Sequence, residues 1–322
     1  MRPVEWKTFV AQFAHLSVRQ REQGITLLRG TSGHDAAVAL LESVVRQRLR
    51  CPACQSAHLH RHGHAHGLQR YRCVPCGRTF NALTGTPLAR LRHKQLWLDY
   101  ADCLLDSRSV RQAASQLGVH RNTTFRWRHR FLSLAKTDRP HCLHGIAEAD
   151  ELYLRESQKG ARHLTRPPRR RGGHAHGRGI SHEHVCILVA RDRTGQTLDF
   201  VTGTGQLTKA QLHRCLPPVV DTDVLLVTDG HAAYPVFARE AGISHQAVNV
   251  RAGSRVRGAV HVQNVNAYHR RLRCWLQRFH GVASHYLPNY LGWRWILDAR
   301  RILSPEALLK ATLGEFPHLT VT

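Results

Sequence analysis

Acidic residues are scarce in this 322-residue chain: 22 Asp and Glu stand against 47 Lys and Arg, a formal charge of +25 at pH 7 with His neutral. So large an excess favours a polyanionic partner, because each phosphate that a cation neutralises releases condensed counterions. Long apolar runs are missing too. No stretch nears the roughly 18 residues of a membrane span, and the opening MRPVEWKTFVAQF, with its early Glu5, lacks the apolar core of a secretory signal. A soluble, cytoplasmic, nucleoid-associated protein with no membrane partner is expected. Nor is there a disulfide framework. Four of the nine cysteines cluster, and Cys103, Cys142, Cys186, Cys215 and Cys274 are scattered singly, which suits a reducing compartment and one metal site.

The positive charge is nearly all arginine, and with 25 histidines no single histidine stands out. Residues 1–48 carry helical apolar spacing (Phe9, Val10, Phe13, Leu16, then Ile25, Leu27, Leu28, then Val38, Leu41, Val44, Val45) and read as a helical lead-in, with TSGHD at 31–35 as a turn and helix start. Residues 49–82 hold CPAC, eighteen residues, then CVPC. Two Cys-x-x-Cys turns at this separation can bring Cys51, Cys54, Cys73 and Cys76 around one structural Zn²⁺, a zinc ribbon. Pro52, Pro75 and Gly77 supply the turn chemistry. Histidines 58, 60, 62, 64 and 66 alternate between the two turns, as a solvated basic strand pair would.

Residues 90–136 are helical again, and VRQAASQLGVHRNTTFRWRHRFL within them has the pattern of a helix-turn-helix DNA-binding domain. Ala113 and Ala114 allow close crossing, Gly118 makes the turn, Val119 plugs the core and His120 caps the second helix. That helix is expected to bury Phe125 and Trp127 and to present Arg121, Asn122, Thr123, Arg126 and Arg128. Arg and Asn are side chains suited to reading base edges from a recognition helix.

After Pro140 the character changes. HGIAEADELYL reads as a strand, and the basic loop 155–182 follows, with eight Lys and Arg and one acid, Glu156. Its Arg169, Arg170 and Arg171 suit a DNA-backbone grip. Strands VCILVARDR and TLDFVTG come next, then helix, strand DVLLVTDG, helix, strand SHQAVNV and helix. Such alternation predicts an α/β domain, a mixed sheet with helices on both faces, over 143–302, before a tail at 303–322. The order is that of an RNase H-like fold, in which the strands bearing Asp150 and Asp229 are neighbours. Two carboxylates brought together there would be relieved of their repulsion by Mg²⁺. Glu148 shares the strand face of Asp150, while Glu151 points the other way, so Glu148 is a second candidate ligand.

The ordered set CPAC, CVPC, helix-turn-helix, EADELYL, RRRGG, VARDR, TDGHAAY and HVQNVNAYHRRLRCWLQRFHGVASHYLPNYLGWRW resembles bacterial insertion-sequence transposases of the DDE superfamily, the group with an N-terminal zinc ribbon and an ISXO-like catalytic domain. The resemblance runs over roughly residues 10 to 302. It implies an enzyme that binds double-stranded DNA at the terminal inverted repeats of its element, cleaves there with Mg²⁺ (or Mn²⁺) and joins the ends to target DNA, working as a homo-oligomer. It places the catalytic acids at Asp150 and Asp229, the third ligand (Glu in many relatives, Asn in a subset) at Asn266, and the basic residue seven positions on at Arg273. A DNA-binding relative without catalysis, or a nuclease that cuts without joining, is the alternative.

The last absence is local: residues 261–276, HVQNVNAYHRRLRCWL, contain no acid at all. Their helical spacing sets an apolar stripe through Val262, Val265, Leu272, Leu276 and Phe279. Asn266 and Asn264 flank it about 160° apart, so both cannot face one ion, and Arg273 shares the flank of Asn266.

Overall fold

The computed structural model describes residues 7–8, 10–12, 15–134, 136–137, 139–169, 173, 175–221, 223–248 and 258–316. The expectations at Phe9, Phe13, Arg170 and Arg171 lie outside these, as do the side chains of Leu27 and Leu28. Two compact units divide the chain: Met1–Phe131 with Ile302–Thr322, and Leu132–Arg301. No helix among the described residues is long and apolar enough to cross a membrane.

The first unit begins with helix α1, Val18–Gln47, opened by a capping box in which the Ser17 hydroxyl accepts from the Gln20 backbone and the Gln20 side chain accepts from the Ser17 N–H. TSGHD is not a break, contrary to expectation; it lies inside this one helix. The packing of Gly33 explains why: a Cβ there would stand 2.7 Å from the Gln95 carbonyl oxygen, so close contact with neighbouring backbone overrides the weak helix propensity of the segment. Ala37, Leu41 and Val44 form the buried stripe. A three-stranded antiparallel ribbon follows: β1 Leu59–Ala65, β2 Leu68–Cys73 and β3 Thr79–Phe80. The alternating histidines fall on the exposed strand β1 and just beside it.

Helices α2 (Trp97–Leu105), α3 (Val110–Leu117) and α4 (Arg121–Phe131) complete this part. Ser109 and Gln112 form a capping box on α3, and Gly118, in the left-handed region at φ 63°, ends it. The His120 ring nitrogen then accepts from the Asn122 N–H at 3.2 Å, as expected of a cap. The buried stripe of α4 is Thr124, Trp127, Arg128 and Phe131, the i, i+3, i+4, i+7 pattern. This corrects two expectations: Arg128 is buried, its guanidinium donating to the Arg108 carbonyl at 2.5 Å, and Phe125 is 42% exposed. Tyr100 lies edge-on to both Trp127 and Phe131 at 5.2 Å. Helix α9, Pro305–Ala311, lies in the stretch 303–322 and buries Leu308, Leu309 and Ala311 in this unit.

The second unit carries a five-stranded mixed sheet: β4 Ile146–Arg155, β5 His184–Asp192, β6 Thr197–Thr204, β7 Leu225–Thr228 and β8 Ser244–Ala247, in spatial order β6-β5-β4-β7-β8. β4, β5 and β6 pair antiparallel, while β4–β7–β8 are parallel. Helices α5 (Lys209–Cys215), α6 (Ala233–Ala241), α7 (Gln263–Gln277) and α8 (Leu287–Ala299) make up the rest. Up to α7 the order of strands and helices is the expected one; α8 is a further helix that was not expected. In β5 every residue from Val185 to Ala190 is buried, as a strand covered on both faces requires. The alternation of β4 explains the layers. Ala147 and Ala149 pack with Cys186, Leu188, Leu212, Tyr234 and Phe237 beneath α5 and α6. Glu148 and Asp150 meet α7 on the other face.

Behind α7, Asp298 on α8 is held by three guanidiniums: Arg191 at 2.8 Å, Arg294 at 3.1 Å and Arg271 at 3.2 Å. Burial alone raises its pKa, but the Arg191 hydrogen bond and the three positive charges hold it below the usual carboxylate range. A lowered folded-state pKa means stability that is present above the unfolded value and lost as the pH falls through the folded one. Asp298→Asn should therefore destabilise the chain at pH 7 by about 3 kcal/mol, in the range for breaking a buried pair. In urea titrations across pH, the gap to wild type should close below the ordinary carboxylate range.

Candidate active site and DNA interface

The carboxylates are set by strand register. β4 and β7 pair in parallel from Ile146–Leu225 to Ala149–Thr228. Asp150 and Asp229 come one position later, on strands about 4.8 Å apart, at the C-terminal edge of β7. The Asp150 Oδ1 accepts from the Glu151 N–H at 2.8 Å, and its Oδ2 lies 3.5 Å from Nδ1 of His269. The Asp229 Oδ1 accepts from the His231 N–H at 3.1 Å, the strand-end turn leading to α6. Each of these backbone bonds occupies one oxygen of its carboxylate.

Glu148 has a different task. It is fully buried, bonded to Arg193, and its Oε2 accepts from the Val265 backbone N–H at 2.9 Å. Val265 is in the first turn of α7, where N–H groups lack helical partners. Arg193 also donates to the Ala259 carbonyl at 2.6 Å. Glu148 is therefore committed to a charged clamp on the helix entry, and Asp150 is the acid of this strand face left at the sheet edge.

The clamp fixes how α7 lies. Val265 meets Glu148 and His269 meets Asp150, so Asn266 falls between two contacts with one strand. Relative to His269, Asn266 lies about 60° and Arg273 about 40° around the helix on the same side, whereas Asn264 lies about 140° away on the other. Asn266 and Arg273 are both exposed. The stripe itself is richer than expected: Tyr268, His269 and Trp275 are buried with Val265 and Leu272, and Leu276 is only half-buried. His269, with its Nε2 buried and without a hydrogen-bond partner, was missed by sequence reading. The available signal was its i+3 spacing from Asn266.

Glu151 faces the opposite side, where the Tyr234 hydroxyl donates to it at 2.5 Å. Burial raises its pKa, the Tyr234 bond lowers it, and the charges of Asp150 and Asp229 raise it again, to about 7. Burial and the Glu151 charge push the Tyr234 phenol well above its ordinary value, keeping the hydroxyl as the donor.

Arg273 lines a cavity of about 370 Å³ with Leu154, Arg155, Leu276 and Leu287. Arg169 is tied inward, donating to the Glu156 carbonyl at 2.7 Å and to Glu183 at 3.0 Å. Its charge is thus paired at the base of the loop. The loop also anchors to the turn after α7, where Lys159 donates to the carbonyls of His280 and Gly281, each at 2.9 Å.

In the first unit, Arg121, Asn122 and Arg126 are exposed on α4, and Thr123 is half-buried. The four cysteine sulfurs of the ribbon lie within 4.8 Å of one another, a group that could hold a zinc ion. Both turns have one build: the Gln55 N–H donates to the Cys51 carbonyl at 2.8 Å and the Gly77 N–H to that of Cys73 at 2.9 Å, with residues 55 and 77 both at positive φ. The thiols share their protons: the backbone N–H groups of Ala53 and Cys54 draw Cys51 down, while the Cys54, Cys76 and Cys51 side chains push Cys73 up.

Residues 142–295 match the ISXO2-like transposase domain, and residues 89–138 match a homeodomain-like domain. An uncharacterized protein in the transposable element ISH50 of Halobacterium salinarum is 30% identical over 260 residues, covering 80% of this chain and 87% of the relative. Among solved structures, a pre-cleavage Mos1 transpososome is 13% identical, covers 67% of this chain and 78% of its own, and has a TM-score of 0.22. The Mos1 strand transfer complex is 15% identical, covers 68% and 79%, and has a TM-score of 0.21; likenesses this loose bear no weight. On its match to the ISXO2-like domain and its kinship with the ISH50 protein over most of both chains, the chain belongs to the insertion-sequence transposases.

Proposed function

We propose that this transposase binds the terminal inverted repeats of its element, cuts the DNA at its ends and joins the freed 3′-hydroxyls to target DNA, with Asp150, Asp229 and Asn266 as ligands to catalytic Mg²⁺ or Mn²⁺. The observation that carries the reading is the β4–β7 register, which sets Asp150 beside Asp229 under the helix strip of Asn266, His269 and Arg273. The strand order supports an RNase H-like fold for the unit. The donor set fits a hard divalent cation: two carboxylates and an amide oxygen. Such an ion, when bound, activates the attacking oxygen and stabilises the leaving one.

The chain's own groups do the rest. Asp150 and Asp229 each keep one oxygen on a backbone N–H, that of Glu151 within β4 and that of His231 in the turn after β7, so the other has a fixed direction. The Asn266 amide offers an oxygen but no charge, and the scissile phosphate supplies part of the missing negative charge. His269 stands against Asp150 and holds its rotamer. Arg273 grips a phosphate with its forked donors. Arg121, Asn122, Thr123 and Arg126 read the repeat from the major groove. A structural Zn²⁺ on Cys51, Cys54, Cys73 and Cys76 closes the ribbon. Transposition pairs two DNA ends, so the chain acts as a homo-oligomer.

Duplexes taken from the inverted repeats flanking the gene test this. Asp150→Asn, Asp229→Asn and Asn266→Ala should each lower metal-dependent end cleavage by more than about a hundredfold, the upper end for outer-shell partners, with repeat binding retained. Asn264→Ala should stay close to wild type. Loss of cleavage with Asn264→Ala and not with Asn266→Ala would reverse the assignment. Binding with no cleavage by wild type would favour a chain that has lost catalysis, and cleavage of pre-paired ends without joining would favour a nuclease.

Native mass spectrometry should find one zinc per chain. Cys73→Ser should lose it, along with the amide-exchange protection of β1 and β2 (Leu59–Ala65 and Leu68–Cys73). Protection that survives zinc removal would assign the ribbon's stability to its apolar contacts alone.

A further inference from the structure

The first unit contains a cavity of about 1010 Å³ whose lining includes Arg90, Arg92, His93, Lys94, Arg130 and His66 and no acidic residue. It was not singled out by any motif. Its floor is a loop built to hold one shape. The Asn81 carboxamide oxygen accepts from the Leu83 N–H at 3.1 Å, and the Thr86 hydroxyl donates to the Leu83 carbonyl at 2.8 Å. Leu83, Leu88 and Leu91 are buried beneath, and the Trp97 indole donates to the Arg92 carbonyl at 3.2 Å. Gly33 brings α1 directly against this segment.

Three features mark the groove as made for an anion. Arg90, Arg92 and Lys94 take part in no ion pair among the described residues, whereas Arg139, Arg166, Arg169, Arg191 and Arg193 all do. Arg90 and His93 sit at φ 63° and 62°, a region that non-glycine residues rarely enter and that clusters at functional positions. Lys94 is half-buried, and desolvation lowers its pKa, a cost that a neighbouring negative charge would offset.

We infer that this groove holds the sugar-phosphate backbone of duplex DNA, a second contact separate from the base-reading face of α4. The inference rests on the DNA-binding reading above and adds a sequence-independent grip to it. Cations lining a rigid trough fit a row of phosphates, and a contact of this kind fixes register without reading sequence. The groove belongs to the unit that carries α4, so it would raise affinity equally for every duplex.

The test measures binding of the full-length chain to two duplexes, the flanking inverted repeat and a scrambled sequence of equal length, across a salt series. The triple variant Arg90→Gln, Arg92→Gln, Lys94→Gln should weaken both duplexes to the same degree. Its log–log salt slope should be shallower by about 2 to 3, at about 0.9 per phosphate contact. Arg92→Lys, which keeps the charge, should retain the wild-type slope, and thermal unfolding should show each variant folded. Asn122→Ala should instead lower the preference for the repeat and leave the slope nearly unchanged. An unchanged slope in the folded triple variant overturns the groove while leaving the DNA-binding reading intact. A wild-type chain that binds neither duplex overturns both.

Discussion

A buried carboxylate, Glu148, ties the sheet to the start of the helix beside the candidate active site. One oxygen accepts the Val265 N–H at the start of α7, and the other bonds Arg193, which in turn holds the Ala259 carbonyl. A buried charge without a partner costs several kcal/mol, so the fold cannot easily release either bond. Because Asp150 is two residues along the same strand face, the bond that fixes the helix also fixes the distance from Asp150 to its 266–269 stretch. The placement of Asp150 against α7 thus depends on the Glu148 clamp beside it.

The same economy governs charge. With few acids available, internal arginines share them: Asp298 serves three guanidiniums, Glu156 two, and Asp199 accepts from both Arg139 and Tyr268. Arginines held this way are internal, although the net charge of +25 already counts every acid against them. Arg169 and Arg128 show the point. They look alike in sequence to Arg121 and Arg126, yet one is ion-paired and the other buried. Arg121 and Arg126 on α4, and Arg90 and Arg92 in the groove, are exposed instead.

Much of the fold was legible. Alternation separated β4 from the helices, the Cys-x-x-Cys spacing predicted a cluster, and the element order of the second unit held as far as α7, with α8 added after it. The failures have physical causes. TSGHD looks like a turn because propensity is local, but Gly33 is used for close packing. Phe125 and Arg128 exchanged burial because the α4 stripe follows helical geometry and an available carbonyl rather than hydropathy. Glu148 and Asp150 could not be ranked from alternation, since both lie on one face; only the partner each finds across the sheet distinguishes them. His269 was hidden by the abundance of histidine, and the groove by the absence of any motif in a loop shaped by side-chain caps.

In the proposed site, α7 brings an uncharged amide to the place where a third acid would serve. Mn²⁺ titration followed by electron paramagnetic resonance, comparing wild type with Asn266→Glu, addresses it most directly. A carboxylate at a true ligand position should tighten Mn²⁺ binding by about tenfold or more, some 1.4 kcal/mol, and Asp150→Asn should abolish the gain. Equal Mn²⁺ affinity in wild type and Asn266→Glu, or a gain that survives Asp150→Asn, would place Asn266 outside the metal site.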